Sequence, residues 1–494
     1  MTSIHDQAMN NVYQQVLQRL LGFFSRAERT ALQLLIQRLG VAAGGMDLIG
    51  NYKVLAIQSG SRDSCYTLAL LRAAQLTIAS RWPTTFRLRV ATLRLNGSLP
   101  GALQNIHRSY SALFLYDDPR VEVLMVDNRE VLAFDPVAPI SAAGYECNRT
   151  NLLMLGHRRV WDGPLDPWDD GYLATGEFHG QITRWNHGVD ALVTSDTPRQ
   201  QNHFIERLKR AASKAGLKFA NHHEPGYAGL FTLLDELGSG SFQRFYTEEA
   251  SSPWRPAGQF ETCRRTTLID VHDILVCPLE ERWPLLTEFL GFQAEELATL
   301  FSENDYVSLP VSAHLWGLQA CFVQGLAYEA GVCQYLQRVL VMMRRKQVPE
   351  RLCVQAAEIL GDQALLAGHR ERAASEAQRC LGLSEAQLVC LLFAPFGDKA
   401  ANLEHFLRQC HPGMLVAMPE LHRALQGHPV ADQIVQWMVE VSGLPVSLMG
   451  RLYSMAPLTT EEGAQAFSAL EEPGLATEVA GHDSSLADEW STGR

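Results

Sequence analysis

The stretch KVLAIQSGSRDSCYTLALLRAAQLTIAS, Lys53 to Ser80, decides the fold. It opens with a short apolar run, Lys53 to Gln58, the length of a buried strand. It then passes through six small or polar residues, Ser59-Gly60-Ser61-Arg62-Asp63-Ser64, and continues as an apolar helix from about Cys65 to Ser80. Beyond it, the alternation from Phe86 to Leu95 reads as a second strand. A strand, a helix-length connection and a strand make a parallel pair, because a parallel return needs a crossover that a short turn does not supply. The fold class expected from this stretch is α/β.

Upstream, Val12, Val16, Leu20 and Phe23 fall on one helical stripe. Ser25-Arg-Ala-Glu28 then fits a capping box, and the helix it opens carries Leu32, Leu35, Ile36 and Leu39 before Ala43-Gly44-Gly45 ends it. Downstream, a helix around Leu103 to Leu115 leads to strands at Val121 to Val126 and Val131 to Phe134. A second unit follows: strand Asp190 to Ser195, a helix opened by Thr197-Pro198 and running to Ala215, and strand Leu217 to Ala220. The run Thr267 to Cys277 closes the β-containing part. Residues 140–188, with WDGPLDPWDDGY inside them, are aperiodic and read as a long loop; residues 246–266 are similar. Past Pro278, helical periodicity dominates to about Tyr453. The expected organisation is a helical hairpin (1–45), an α/β domain with a parallel sheet and the long loop 140–188 (46–278), an all-α domain (279–456) and a mobile acidic tail (457–494).

The 494 residues carry a net charge of −12, with 47% hydrophobic and 19% charged residues, a globular composition. The charge is uneven, since the segment from Pro457 holds eight acids against one base, Arg494. The remainder is close to neutral and lacks the broad positive field that nucleic-acid or anionic-membrane binding requires, so neither partner is expected. The basic runs (Arg87, Arg89 and Arg94; Arg264 and Arg265; Arg344, Arg345 and Lys346) read as solvated faces. The ten cysteines form no CxxC pair and read as reduced thiols. The opening MTSIHDQAMNN lacks the basic and apolar regions of a secretory signal, and the apolar run Leu388 to Phe396 is about half the ~20 residues that cross a bilayer. A cytoplasmic location is expected.

Ser59 to Ser64 is the sharpest local feature. Small residues between a strand and a helix let backbone amides approach an anion, and the helix N-terminus adds positive potential, a combination suited to phosphate. The turn resembles the SGGxDS signature of PP-loop ATP pyrophosphatases, in which such a loop cradles the pyrophosphate of ATP while a carboxylate is activated by adenylation. The resemblance covers about thirty residues and implies phosphate binding by Ser59, Gly60, Ser61, Asp63 and Ser64, with ATP and magnesium as cofactors; Ser61 stands where that family has Gly. The same turn also has a structural reading, in which small residues shape the turn and Asp63 or Ser64 caps the helix.

Three further features carry two readings each. Cys65 opens the helix, where the macrodipole would lower a thiol pKa. His179, His187, His203, His222 and His223 are possible partners that no spacing links to it, and the alternative is a buried structural thiol. His222-His223-Glu224 follows a strand end, but neighbouring strand side chains point to opposite faces, which favours a polar loop over a metal site. Asp162, Asp166, Asp169 and Asp170 could supply oxygen ligands to a hard cation, yet their spacing is not that of an EF-hand, and a solvated acidic loop is expected.

In the helical half, Leu360-Gly361, Gly368, Ala373, Ala377, Cys380 and Leu381 fall where a tetratricopeptide-like hairpin places its large and small residues, with weak echoes at Gly317, Gly325 and Ala330. The expected function is that of a cytosolic regulatory or adaptor protein docking a protein partner through its C-terminal helices. The alternative is an ATP-using, PP-loop-like enzyme with its phosphate turn at Ser59 to Ser64.

Overall fold

The computed structural model describes residues 4–127, 130–158, 169–215, 266–275, 279–293, 308–345, 348, 350–361 and 363–455. The expected strand Leu217 to Ala220, residues 246–265 of the segment 246–266, His222-His223-Glu224, Asp162, Asp166, Arg264, Arg265, Lys346 and tail 457–494 lie outside these residues.

The hairpin forms as expected: α1 (Ile4–Phe23) and α2 (Arg26–Ala42) are joined at Ser25, whose hydroxyl and Glu28 make the reciprocal capping box. Six strands follow, β1 (Lys53–Ile57), β2 (Arg87–Arg94), β3 (Val121–Asp127), β4 (Glu130–Ala133), β5 (Ala191–Thr194) and β6 (Thr267–Asp270), in the spatial order β4-β3-β2-β1-β5-β6. β1 pairs in parallel with β2 on one side and β5 on the other, Val54 lying opposite Leu88 and Ala191. The sheet is mixed rather than wholly parallel, because β4 returns antiparallel on β3. Only two residues join these strands, too few for a crossover.

Side-chain alternation sorts the strands onto two faces. Val54, Ala56, Leu88 and Val90 pack with α1, α2, α3 (Arg62–Arg81) and α4 (Pro100–Ala112). Leu55, Ala91 and Leu192 pack instead with Tyr172 and Phe178 of α6 (Asp169–Arg184) and Phe204 and Leu208 of α7 (Pro198–Lys214). Thr197 caps α7 and Pro198 occupies its first position, as the sequence suggested. The connecting helices therefore lie on one face for β1 to β3 and on the other for β5 and β6, and the winding reverses between β1 and β5.

Residues 140–188 are not a long loop; they hold α5 (Ala142–Gly156) and α6. α5 shows no stripe because it is buried on several sides at once. Leu152, Leu153 and Met154 enter the core of the helical half, while Leu155 enters the sheet core, and four consecutive apolar residues after a polar first half give no 3.6-residue stripe. Its Arg149 donates from Nε to the Gly382 carbonyl (3.1 Å) and from Nη2 to the Gly443 carbonyl (3.0 Å). The expected run from Thr267 shortens to β6, after which His272–Ile274 form a 3-10 turn.

Past residue 278 the described chain is helical: α8 (Leu279–Pro284, extended by a π turn to Phe289), α9 (Leu309–Phe322), α10 (Tyr328–Arg345), α11 (Glu350–Gly361), α12 (Gln363–Leu381), α13 (Glu385–Phe393), α14 (Leu403–Cys410), α15 (Met418–Leu425), α16 (Asp432–Ser442) and α17 (Val446–Ser454). The core is shared across position 278, since Val339, Met343 and Leu352 join the cluster beneath α1–α4.

Arg89, Asp169 and Asp170, expected in solvent, are buried, and so is Arg72. Arg89 is 1% exposed, with Nε donating to Glu122 (2.7 Å) and Nη1 to the Trp185 carbonyl (2.7 Å). Asp169 and Asp170 belong to α6, and Asp169 pairs with Arg210 and Lys214 of α7. Arg72, wholly buried, donates to the Leu113 and Phe114 carbonyls (both 3.1 Å) and to Asp118 (2.8 Å). Phe114 has φ +53, which turns the chain so that consecutive carbonyls reach this guanidinium. Burial opposes ionisation of Asp118, but the Arg120 and Arg72 guanidiniums outweigh it and hold its carboxyl below the usual range.

Burial pushes several buried histidines below the ordinary 6.5: His157 down to about 3, His179 down to about 4 and, against the opposing Glu385 carboxylate, His314 down to about 4. Between pH 6.5 and about 4 the unfolded chain binds more protons than the folded one, so stability is full above this window and falls as pH drops through it. Thermal melts across pH 7 to 4.5 are expected to show a falling Tm. His157→Leu should flatten part of the slope, since neither ring nitrogen has a hydrogen-bond partner among the described residues. A Tm level across this range in the unmodified protein contradicts the assignment.

Candidate functional site

The turn after β1 is built by the strand that precedes it and the helix that follows. β1 is bonded on both edges, and the Gln58 amide still donates to the Ala91 carbonyl at 2.8 Å, so the chain is held in the sheet until residue 58. α3 begins at Arg62, leaving three residues to reverse direction. Gly60 makes that possible with φ +78, and a Cβ there would overlap the Ala102 carbonyl in the first turn of α4. Both the left-handed backbone and the close approach require glycine.

The N-cap of α3 is Ser61, not Asp63 or Ser64. Its Oγ accepts from the Ser64 amide at 3.3 Å. Three hydroxyls close on one another here: Ser59 Oγ lies 3.0 Å from Ser61 Oγ and 3.2 Å from Ser64 Oγ, and the last two are 3.2 Å apart. The Ser64 hydroxyl also donates to the Ser61 carbonyl at 3.0 Å. The Asp63 carboxylate sits at the rim, 45% exposed, and accepts from Arg62 Nε at 3.3 Å. Thus Ser59, Ser61 and Ser64 form one network, Gly60 fixes its backbone, and Asp63 is the charged group nearest solvent.

Four residues of this site carried no signature in the sequence. Thr67 Oγ1 lies 2.8 Å from both the Asp63 carbonyl and Ser195 Oγ, which ties the first turn of α3 to the end of β5. Ala102 presses on Gly60. Gln58, 1% exposed, donates from Nε2 to the Ile57 carbonyl (3.0 Å) and the Ser64 carbonyl (3.2 Å), while its Oε1 is buried without a donor among the described residues. Gln58 was legible only as the polar end of an apolar run; the Thr67 to Ser195 contact spans 128 positions and had no local signal.

Acids at other strand ends are engaged structurally. Asp127, closing β3, accepts from the Ser141 amide (2.8 Å) at the start of α5. Asp270, closing β6, accepts from the His272 amide (2.8 Å) and Gln201 Nε2 (3.1 Å). No group of three or more His, Cys, Asp or Glu placed to hold a metal ion occurs among the described residues. Of the two readings of Cys65, the structure supports the buried structural thiol: Cys65 is wholly buried, and burial pushes its thiol up to about 11 despite hydrogen bonds from Ser109 and Ser64. His179 and His203 belong to helices on the opposite face of the sheet, and His187 lies in an exposed turn.

No protein-family model matches the chain, and neither does a curated protein or a solved structure.

With native protein at pH 8, iodoacetamide is expected to leave Cys65 unmodified and to label it only in denaturant, as read by peptide mass mapping. Labelling within minutes under native conditions contradicts a burial-suppressed thiol.

Proposed function

We propose that the α/β half binds a nucleoside triphosphate on the Ser59 to Ser64 turn. One observation carries this reading: the strand order puts that turn at the carboxyl end of β1, between β2 and β5, where the winding reverses. In open α/β sheets this is where ligands bind, because the connections leaving adjacent strands part to opposite faces and leave a crevice between them. The N-terminus of the twenty-residue α3 opens there and supplies amides and positive potential for phosphate. Asp63, the exposed carboxylate of the turn, would hold the accompanying magnesium together with the phosphate oxygens. The likeness to PP-loop ATP pyrophosphatases supports one chemistry: a substrate carboxylate attacks the α-phosphorus of ATP, pyrophosphate departs, and an acyl adenylate forms.

A second reading concerns the helical half. α9 and α10 pair closely because Gly317 and Gly331 carry no Cβ, which would meet the Tyr328 ring and the Trp316 carbonyl. On α12, Ala373 and Ala377 are fully buried. Such close pairs of helices support a tetratricopeptide-like scaffold that docks a protein segment, with the α/β half as its ligand-sensing unit. No helix among the described residues is long and apolar enough to cross a membrane. A stoichiometric partner recovered from native lysate with the full chain favours this reading; no such partner, together with turnover of ATP, counts against it.

The nucleotide reading predicts that millimolar ATP with magnesium raises the Tm of the full chain. The gain in stability is RT ln(1 + [L]/Kd), about 2.7 kcal/mol at a hundredfold excess over Kd. Asp63→Ala is expected to abolish the shift while changing the stability of the unliganded protein by no more than about 0.5 kcal/mol, because its side chain is half-exposed. No shift with any nucleoside triphosphate at millimolar concentration overturns the reading.

A further inference from the structure

The phosphate turn is closed by its own side chains, which has a consequence for ligand affinity. Ser61 Oγ accepts from the Ser64 amide at 3.3 Å and lies 3.0 Å from Ser59 Oγ and 3.2 Å from Ser64 Oγ. A phosphate oxygen bound at this helix end would take the same amide and the same hydroxyl protons. Ser61 is 5% exposed and Ser64 4% exposed, so the hydroxyl cluster occupies the space and leaves little for an incoming oxygen.

A second, independent feature points to a ligand here. Gln58 is 1% exposed, and its Nε2 is spent on the Ile57 and Ser64 carbonyls. The amide is thereby held against the first turn of α3, and Oε1 is left beside that turn as a buried acceptor without a donor among the described residues. Buried acceptors are nearly always satisfied, and one left open is costly. An occupant that offered a hydroxyl, an amine or a metal-bound water next to its anionic oxygens would supply Oε1 with the donor it lacks while its anion took the helix amides. That description fits a phosphorylated ligand bearing a sugar or accompanied by hydrated magnesium.

We infer that Ser61 is a built-in competitor for the phosphate of the ligand, so that its hydroxyl must turn out of the N-cap position before the anion can enter and Ser61 sets the affinity of the site. This rests on the nucleotide reading and adds a regulation to it. The cap is easily displaced, since each of its contacts is at the long end of the hydrogen-bond range. Glycine is tolerated at an N-cap nearly as well as serine, so replacement removes the competitor without unfolding the helix end.

The experiment titrates full-length protein with inorganic pyrophosphate and with ATP plus magnesium by calorimetry, comparing the unmodified chain with Ser61→Gly and Ser61→Ala; a thermal melt of each variant checks folding. Ser61→Gly is expected to bind both probes at least about tenfold tighter than the unmodified protein. Ser61→Ala, which lacks the hydroxyl but keeps a Cβ, is expected to gain in the same direction and by less. Binding by the unmodified protein that is equal to or tighter than binding by both variants overturns the role of Ser61 and leaves the nucleotide reading standing. Binding by the variants alone supports it in its strongest form. Binding by none of the three at millimolar probe overturns both.

Discussion

The short reversal between β1 and α3 is the constraint on which the rest of the structure depends. β1 is the inner strand of the parallel pairs, with its three central residues buried and both edges bonded, so its path is fixed by its neighbours. The chain must leave the sheet and enter a twenty-residue helix across three residues. A left-handed glycine and a cap immediately after it satisfy both demands. Gly60 also lets the first turn of α4 close down on the turn, and Thr67 ties it to Ser195 after β5. Three neighbouring elements are thereby gathered around one turn.

Stability and ligand binding compete for the same atoms at this point. A serine N-cap is worth about 1 kcal/mol to a helix, a useful amount for a chain whose net stability is a small difference of large terms. The amide it satisfies is one that an anion would otherwise use. The buried Arg72 makes no such concession. Arg72 has its guanidinium filled by two carbonyls, Gln75 and Asp118, and removing one partner of such a pair costs about 3–5 kcal/mol because the other is stranded in low dielectric. The polar interior is thus closed at Arg72, whereas at the turn Gln58 Oε1 remains open.

Much of the α/β half was legible because its signals are local. The run from Lys53, its turn and the apolar helix specify a strand, a crossover and a parallel return, and Ser25 with Glu28 or Thr197 with Pro198 mark helix starts within four residues. α5 was hidden because it serves two cores at once, so its apolar residues Leu152 to Leu155 fall in a continuous run. Arg89 and Asp169 read as surface because charge in a sequence gives no hint of a partner found only in three dimensions, Glu122 on the next strand or Lys214 on the next helix. At the site, the serines and Gly60 were visible as a group. Which of them caps α3 was not, since Ser61, Asp63 and Ser64 are all competent caps and the choice is made by where Gly60 turns the chain.

Hydrogen–deuterium exchange of the full chain, with and without ATP and magnesium, tests most directly whether the end of β1 is where this protein meets its ligand. The account predicts slowed exchange in the peptides spanning residues 58–66 and 99–103, with the remainder of the sheet unchanged. Unaltered exchange in both segments, with protection appearing only in the helices beyond residue 308, would contradict it.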